Sequence, residues 1–208
     1  MNYPIIEKYF SGLTGEQKQQ FDALRDLYTQ WNTMINIISR KDIDNLYERH
    51  ILHSLSIACL IRFTEGTHIM DAGTGGGFPG IPLAILFPKV NFCLIDSTGK
   101  KIKVVQTIAN TIGLNNVSTL QGRLEDEKNI FDFVVSRAVM TLAEMVKLIR
   151  KNIAKENRNA LPNGLIYLKG GLVCKETTPF GKNAMIVELS EYFDEVYFET
   201  KKIIYITL

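Results

Sequence analysis

The densest run of residues able to do chemistry is Asp71-Ala72-Gly73-Thr74-Gly75-Gly76-Gly77-Phe78-Pro79-Gly80. Glycine turns the chain at positive φ and lets a ligand approach the backbone, both of which a side chain obstructs. The spacing Gly75-x-Gly77-x-x-Gly80 satisfies the dinucleotide fingerprint, in which backbone N–H groups hold a pyrophosphate. Asp71, two residues before Gly73, favours another occupant. A carboxylate there repels pyrophosphate and attracts an ammonium, so D-x-G-x-G-x-G suits a cofactor with an amino group and no phosphate. The plainer alternative is a glycine-rich turn with Asp71 as a helix cap.

Other candidates follow at intervals expected of one site. Asp96 ends an apolar run about twenty residues beyond the loop, where an acid accepts hydrogen bonds from ribose hydroxyls. That acid supports an adenosine cofactor, NAD or S-adenosyl-L-methionine, without choosing between them, and it can also cap the next helix. Leu124 and Glu125, in Gln121-Gly122-Arg123-Leu124-Glu125-Asp126, fall where backbone and side chains can meet an adenine ring, with a plain surface charge as the alternative role of Glu125. Arg137 stands at the mouth of such a site, with a surface ion pair as its alternative role. Phe78 is placed to stack on a base or on the cofactor, or simply to pack. The cations Arg40, Lys41, Arg49, His50, Lys100, Lys101, Lys103, Arg123, Arg137 and Lys169 are each ordinary surface residues alone; together they would make the phosphate-binding rim an RNA substrate requires.

These residues need a frame that brings strand ends together. Thr14 and Gln17 read as a capping box, and Phe21, Leu24, Tyr28, Trp31 and Ile35 then recur at helical spacing. A second apolar helix is expected over 46–61. From Thr67 short strands alternate with helices, which marks a doubly wound α/β fold with a mostly parallel sheet. Strands are expected near 67–71, 91–95, 117–120, 132–136 and 164–168, with helices near 79–86, 98–113 and 141–152. Residues 191–199 and 202–208 read as a closing C-terminal antiparallel hairpin, making seven strands. The expected organisation is an N-terminal helical extension, 1–63, on a domain spanning 64–208, within one globular unit.

The 208 residues are 46% hydrophobic and 22% charged, close to a folded globular average, which excludes an intrinsically disordered chain. The first ten residues lack the apolar run of a signal peptide, and no run approaches a membrane span, so a cytoplasmic protein without membrane association is expected. Cys59, Cys93 and Cys174 have no metal or redox spacing and read as buried thiols in a reducing compartment; no metal site is expected. A formal net charge of +2 is too small to identify a nucleic-acid partner by itself.

An ordered set of motifs makes the chain resemble the bacterial family of ribosomal RNA small-subunit methyltransferase G, also called glucose-inhibited division protein B. The set comprises Trp31-Asn32 with Asn36, Arg49-His50-Ile51-Leu52 with Ser54-Leu55, Asp71 through Pro82, Leu94-Ile95-Asp96-Ser97 with Lys100-Lys101, Ser136-Arg137-Ala138, and Leu168-Lys169-Gly170. The resemblance covers nearly the whole chain. It implies a Rossmann-like methyltransferase fold and S-adenosyl-L-methionine held by Gly73, Phe78, Leu124, Glu125 and Arg137, beside the Asp71, Gly75 and Asp96 read above. It further implies methyl transfer to N7 of a guanine near the decoding centre of 16S ribosomal RNA, the substrate being small-subunit RNA or a ribosomal particle; a monomer is expected. The chain departs from the family at His53, where Asp is usual, and at Asn36-Ile37-Ile38-Ser39. The competing functions are an oxidoreductase using NAD in the same loop and a non-catalytic RNA-binding assembly factor.

Overall fold

The computed structural model of the chain describes residues 4–39, 42–137 and 139–208. Seven strands, β1 (His68–Ala72), β2 (Asn91–Asp96), β3 (Val117–Gln121), β4 (Phe133–Arg137), β5 (Gly164–Gly170), β6 (Ala184–Glu188) and β7 (Lys201–Thr207), form one sheet in the order β3-β2-β1-β4-β5-β7-β6. The first five pair in parallel, while β7 runs antiparallel to both β5 and β6. The order reverses between β1 and β4, so the connections that follow them leave in opposite directions and open the crevice in which ligands bind in open α/β sheets.

The central strands are apolar on both faces because helices cover both: β4 is buried from Phe133 to Ser136 and β5 from Gly164 to Leu168. Helices α1 (Pro4–Tyr9) and α2 (Gly15–Met34) come first. The capping box holds: Thr14 Oγ1 accepts from the Gln17 N–H at 3.2 Å, and Gln17 Oε1 accepts from the Thr14 N–H at 2.9 Å. The expected second helix is broken in form. A π-helical segment, Leu46–Leu52, leads into α3 (His53–Leu55) and α4 (Ile57–Leu60). Crossovers α5 (Gly80–Leu86), α6 (Gly99–Thr111) and α7 (Leu142–Ile149) match the expected helices within a few residues, and a short α8 (Cys174–Thr177) follows β5. The residues of α2 that point inward, Phe21, Leu24 and Tyr28, belong to the same core as Ile81, Leu83 and Leu94 of the sheet domain.

Two expectations are corrected. The strand beside β7 is Ala184–Glu188; residues 191–199 contain no strand. Their apolar pattern comes from the buried rings of Phe193 and Phe198, stacked 4.5 Å apart, which anchor 3₁₀ turns at Leu189–Glu191 and Val196–Thr200. Of the cysteines, Cys59 and Cys93 are half-buried and Cys174 is exposed at the start of a short helix, so none is a fully buried thiol.

Candidate active site

The glycine loop is fixed from below. The Asp71 side chain is fully buried; its Oδ2 accepts hydrogen bonds from Thr74 Oγ1 at 2.6 Å and from the Gly80 N–H at 2.8 Å, and Oδ1 is sealed in without a partner. Asp71 thus ties the end of β1 to the first amide of α5. A Cβ on Gly80 would lie 2.7 Å from both Asp71 Oδ2 and Leu94 Cγ, so this contact requires glycine. From the other side Tyr28 of α2 donates its buried hydroxyl to the Gly76 carbonyl at 2.7 Å. Burial moves both groups against ionisation, raising the Asp71 carboxyl to about 7 and pushing the Tyr28 phenol well above its ordinary value.

Above the loop, the carboxyl ends of β1, β2 and β3 and the segment after β4 enclose a cleft of about 580 Å³, within the usual range for small-molecule sites. Its polar wall is Gly73, Gly75, Asp96, Ser97, Lys101, Gly122, Arg123 and Glu125, and its apolar wall is Ile95, Leu124, Val139, Met140 and Leu148. Asp96 Oδ2 accepts from the Gly75 N–H at 2.9 Å and Oδ1 from the Thr98 N–H at 2.8 Å. Each carboxylate oxygen keeps a second lone pair, so Asp96 can brace the loop and still accept from two neighbouring hydroxyls. Gly73 has φ +69°, and a Cβ there would meet Val139 Cγ2 at 2.7 Å, so a side chain would crowd this wall.

Phe78 and Arg137 lie farther in. Phe78 is buried, stacked on Tyr28 with centroids 4.9 Å apart, and the Arg137 guanidinium lies over its ring at 5.2 Å. Arg137 donates to His50 Nδ1 at 2.9 Å and to the Arg49 carbonyl at 3.3 Å, and it forms no ion pair with a carboxylate among the described residues. A second cleft, about 370 Å³, opens here between Asp42, Arg49, His50, His53, Arg137, Lys169, Tyr197 and Lys201. Its potential is positive because its cations are only partly compensated: Arg49 is paired with Asp42 at 2.9 Å and Lys169 with Glu176, whereas Arg137 and Lys201 meet aromatic rings. Burial and the Arg137 charge lower both histidines, His50 to about 3 and His53 well below its ordinary value, so neither adds charge at neutral pH. The neutral His50 leaves Nδ1 free to accept from Arg137.

The family model described as rRNA small subunit methyltransferase G matches residues 17–188. A protein named ribosomal RNA small subunit methyltransferase G from Bacteroides thetaiotaomicron is 61% identical over 201 residues, covering 97% of this chain and 98% of its own. One of the same name from Christiangramia forsetii is 48% identical over 208 residues, covering 100% of this chain and 98% of its own.

The chain belongs to this family.

At the level of fold, this small-subunit methyltransferase G family member is similar to a SAM-dependent methyltransferase from Aquifex aeolicus, with a TM-score of 0.57 at 18% identity over 82% of this chain and all of the other. It is also similar to a mutant of MtNAS in complex with S-adenosylmethionine, with a TM-score of 0.60 at 14% identity over 92% and 72% of the two chains. These likenesses show the fold, a Rossmann-like doubly wound architecture, in agreement with the sheet order.

Of the residues singled out in the sequence, the structure gathers Gly73, Gly75, Asp96, Leu124 and Glu125 around one cleft. It sets Arg137 in the second cleft with Phe78 buried against its guanidinium, and Asp71 beneath the loop with no exposed surface. The phosphate rim is divided. Lys101 and Arg123 line the first cleft and Arg49, Arg137 and Lys169 the second, while Arg40 and Lys41 lie outside the described residues. Sequence reasoning missed Val139 and Met140, two apolar residues in a loop, and Tyr197 and Lys201, which reach the site only because β7 returns beside β5. Tyr28 was visible as part of a helical stripe, and the one phenol in that stripe facing a glycine loop was the available signal.

Proposed function

We propose that the chain transfers a methyl group from S-adenosyl-L-methionine to N7 of a guanine in small-subunit ribosomal RNA, near the decoding centre. The observation that carries the cofactor assignment is the Asp71–Gly80 contact. In a dinucleotide site the first amides of this helix face a pyrophosphate; here the buried Asp71 side chain already takes the Gly80 N–H, which is therefore not free to hold a phosphate. That arrangement removes a pyrophosphate donor and so opposes NAD.

The donor set fits that cofactor in detail. Asp96 suits the ribose hydroxyls, Leu124 and Glu125 with the apolar wall suit the adenine, and the backbone of Gly73 and Gly75 suits a chain passing close to the loop. Arg137, a cation without a protein carboxylate, suits the carboxylate of the methionine part, with Phe78 holding the guanidinium plane. Asp71 acts through the loop it organises. When bound, S-adenosyl-L-methionine supplies an electrophilic methyl group. Guanine N7 carries a free lone pair in the neutral base, so no residue has to remove a proton, and no general base is assigned. The protein's work is to align the reacting atoms, an effect of up to about 7–11 kcal/mol in well-oriented systems.

The test is transfer of labelled methyl to small-subunit RNA from cells lacking the protein, followed by mapping of the product. Label on a single guanine N7 is the expected outcome, and binding of RNA without transfer would favour an assembly factor. Calorimetric affinity for S-adenosyl-L-methionine left unchanged by both Gly73→Asp and Arg137→Ala would overturn the site assignment.

A further inference from the structure

The two most exposed large apolar side chains among the described residues are Leu172, at 96%, and Val196, at 76%. Isolated exposed apolar residues are ordinary; the placement of these two is not. The Gly171 N–H donates to the Thr200 carbonyl at 2.9 Å, which joins the loop leaving β5 to the turn Val196–Thr200 that precedes β7. Both loops border the positively charged cleft: Lys169 and Gly170 line it just before Leu172, and Tyr197 and Lys201 line it just after Val196. Gly171 has φ +79° with open space around it, so the turn carries Leu172 outward, although the next residue, Val173, is buried. In the sheet, Leu168 pairs with Arg137, which sets this lip directly beside the inner wall of the site.

The chemistry of the substrate gives such a lip a task. N7 of a guanine in an RNA helix faces a major groove too deep and narrow for side chains to read, and the cofactor cleft is recessed among strand ends. A guanine held in a helix therefore has to leave its stack to react, and proteins that open a base step commonly fill the gap with an apolar side chain while cations hold the flanking phosphates. We infer that Leu172 enters the stacking position vacated by the target guanine, with Val196 against the adjoining base and Lys201, which has no carboxylate partner among the described residues, on the flanking phosphate. Leu172 is then a positioning residue that favours the extruded state of the base. This inference rests on the RNA methyl-transfer reading above.

The test compares single-turnover methylation of small-subunit RNA with that of the same RNA rebuilt by ligation to carry an abasic residue beside the mapped guanine, where the stack is already broken. Leu172→Ala should slow transfer to the intact RNA by about tenfold or more, because opening a base step costs a few kcal/mol that the wedge offsets. It should slow transfer to the abasic RNA far less, Leu172→Met should restore the intact RNA, and affinity for S-adenosyl-L-methionine should be the same in all three proteins. Equal rates for Leu172→Ala and the unaltered protein on intact RNA, or an equal loss on both RNAs, would overturn the wedge alone. An unaltered protein that labels neither RNA would overturn the methyl-transfer reading and the wedge with it.

Discussion

Asp71 makes the stability of this fold depend on pH in a direction opposite to that of most carboxylates. In the unfolded chain its pKa is near the ordinary 3.8; in the fold it is about 7, because burial costs the charged form more than the Thr74 and Gly80 hydrogen bonds return. The folded state therefore binds the proton more tightly. The resulting stabilisation is complete below the unfolded pKa and is lost as pH rises through the folded one. With one proton linked across that window, the loss between about pH 5 and pH 7 is about 2 kcal/mol. The neutral histidines, His50 and His53, act with the other sign, since a lowered folded pKa removes stability as pH falls below 6.5. Asp71→Asn separates the two effects. The amide oxygen keeps both acceptor contacts of Oδ2, the NH₂ replaces the sealed Oδ1, and nothing at this position titrates. Urea denaturation of both proteins across that range should show the stability of the unaltered chain, relative to Asp71→Asn, falling by about 2 kcal/mol as pH rises. Parallel profiles would refute the burial of an uncompensated carboxyl beneath the loop.

Tyr28→Phe leaves the Gly76 carbonyl buried without its donor and should destabilise the fold by about 1–3 kcal/mol in urea denaturation, with weaker affinity for S-adenosyl-L-methionine. Asp96→Ala removes the acceptor of the Gly75 and Thr98 amides together with the site for hydroxyls; calorimetry should show affinity for S-adenosyl-L-methionine reduced by at least about tenfold, the scale of one charged hydrogen bond. Lys201→Ala should leave cofactor affinity unchanged while lowering the slope of log RNA affinity against log salt by about 1, as expected for one phosphate contact; a change in cofactor affinity instead would place Lys201 in the other cleft.

What was legible in the sequence was whatever local chemistry dictates. Thr14 and Gln17 cap each other across one turn, the glycines of 73–80 answer to the backbone geometry of a single loop, and Asp96 ends a strand that pairs along its length. Each of these is decided within a few residues, and each was placed correctly. The second cleft was legible only as loose cations, because its geometry depends on three separated returns of the chain: the π-helical turn that carries Arg49 and His50, the end of β4 that carries Arg137, and the antiparallel β7 that brings Lys201 and Tyr197 beside Lys169. The last of these also explains the misplaced strand. An antiparallel partner for β7 can lie on either side of a loop of any length, so the apolar run at 184–188 and the aromatic anchors at 193 and 198 compete on equal terms until packing is known. The rings satisfy themselves by stacking on each other, which leaves the shorter run to supply the edge. His53 shows the same limit in the site itself. As a residue type it suggests a base, but only its burial beside Arg137 reveals that the imidazole stays neutral and adds no second positive charge beside the guanidinium.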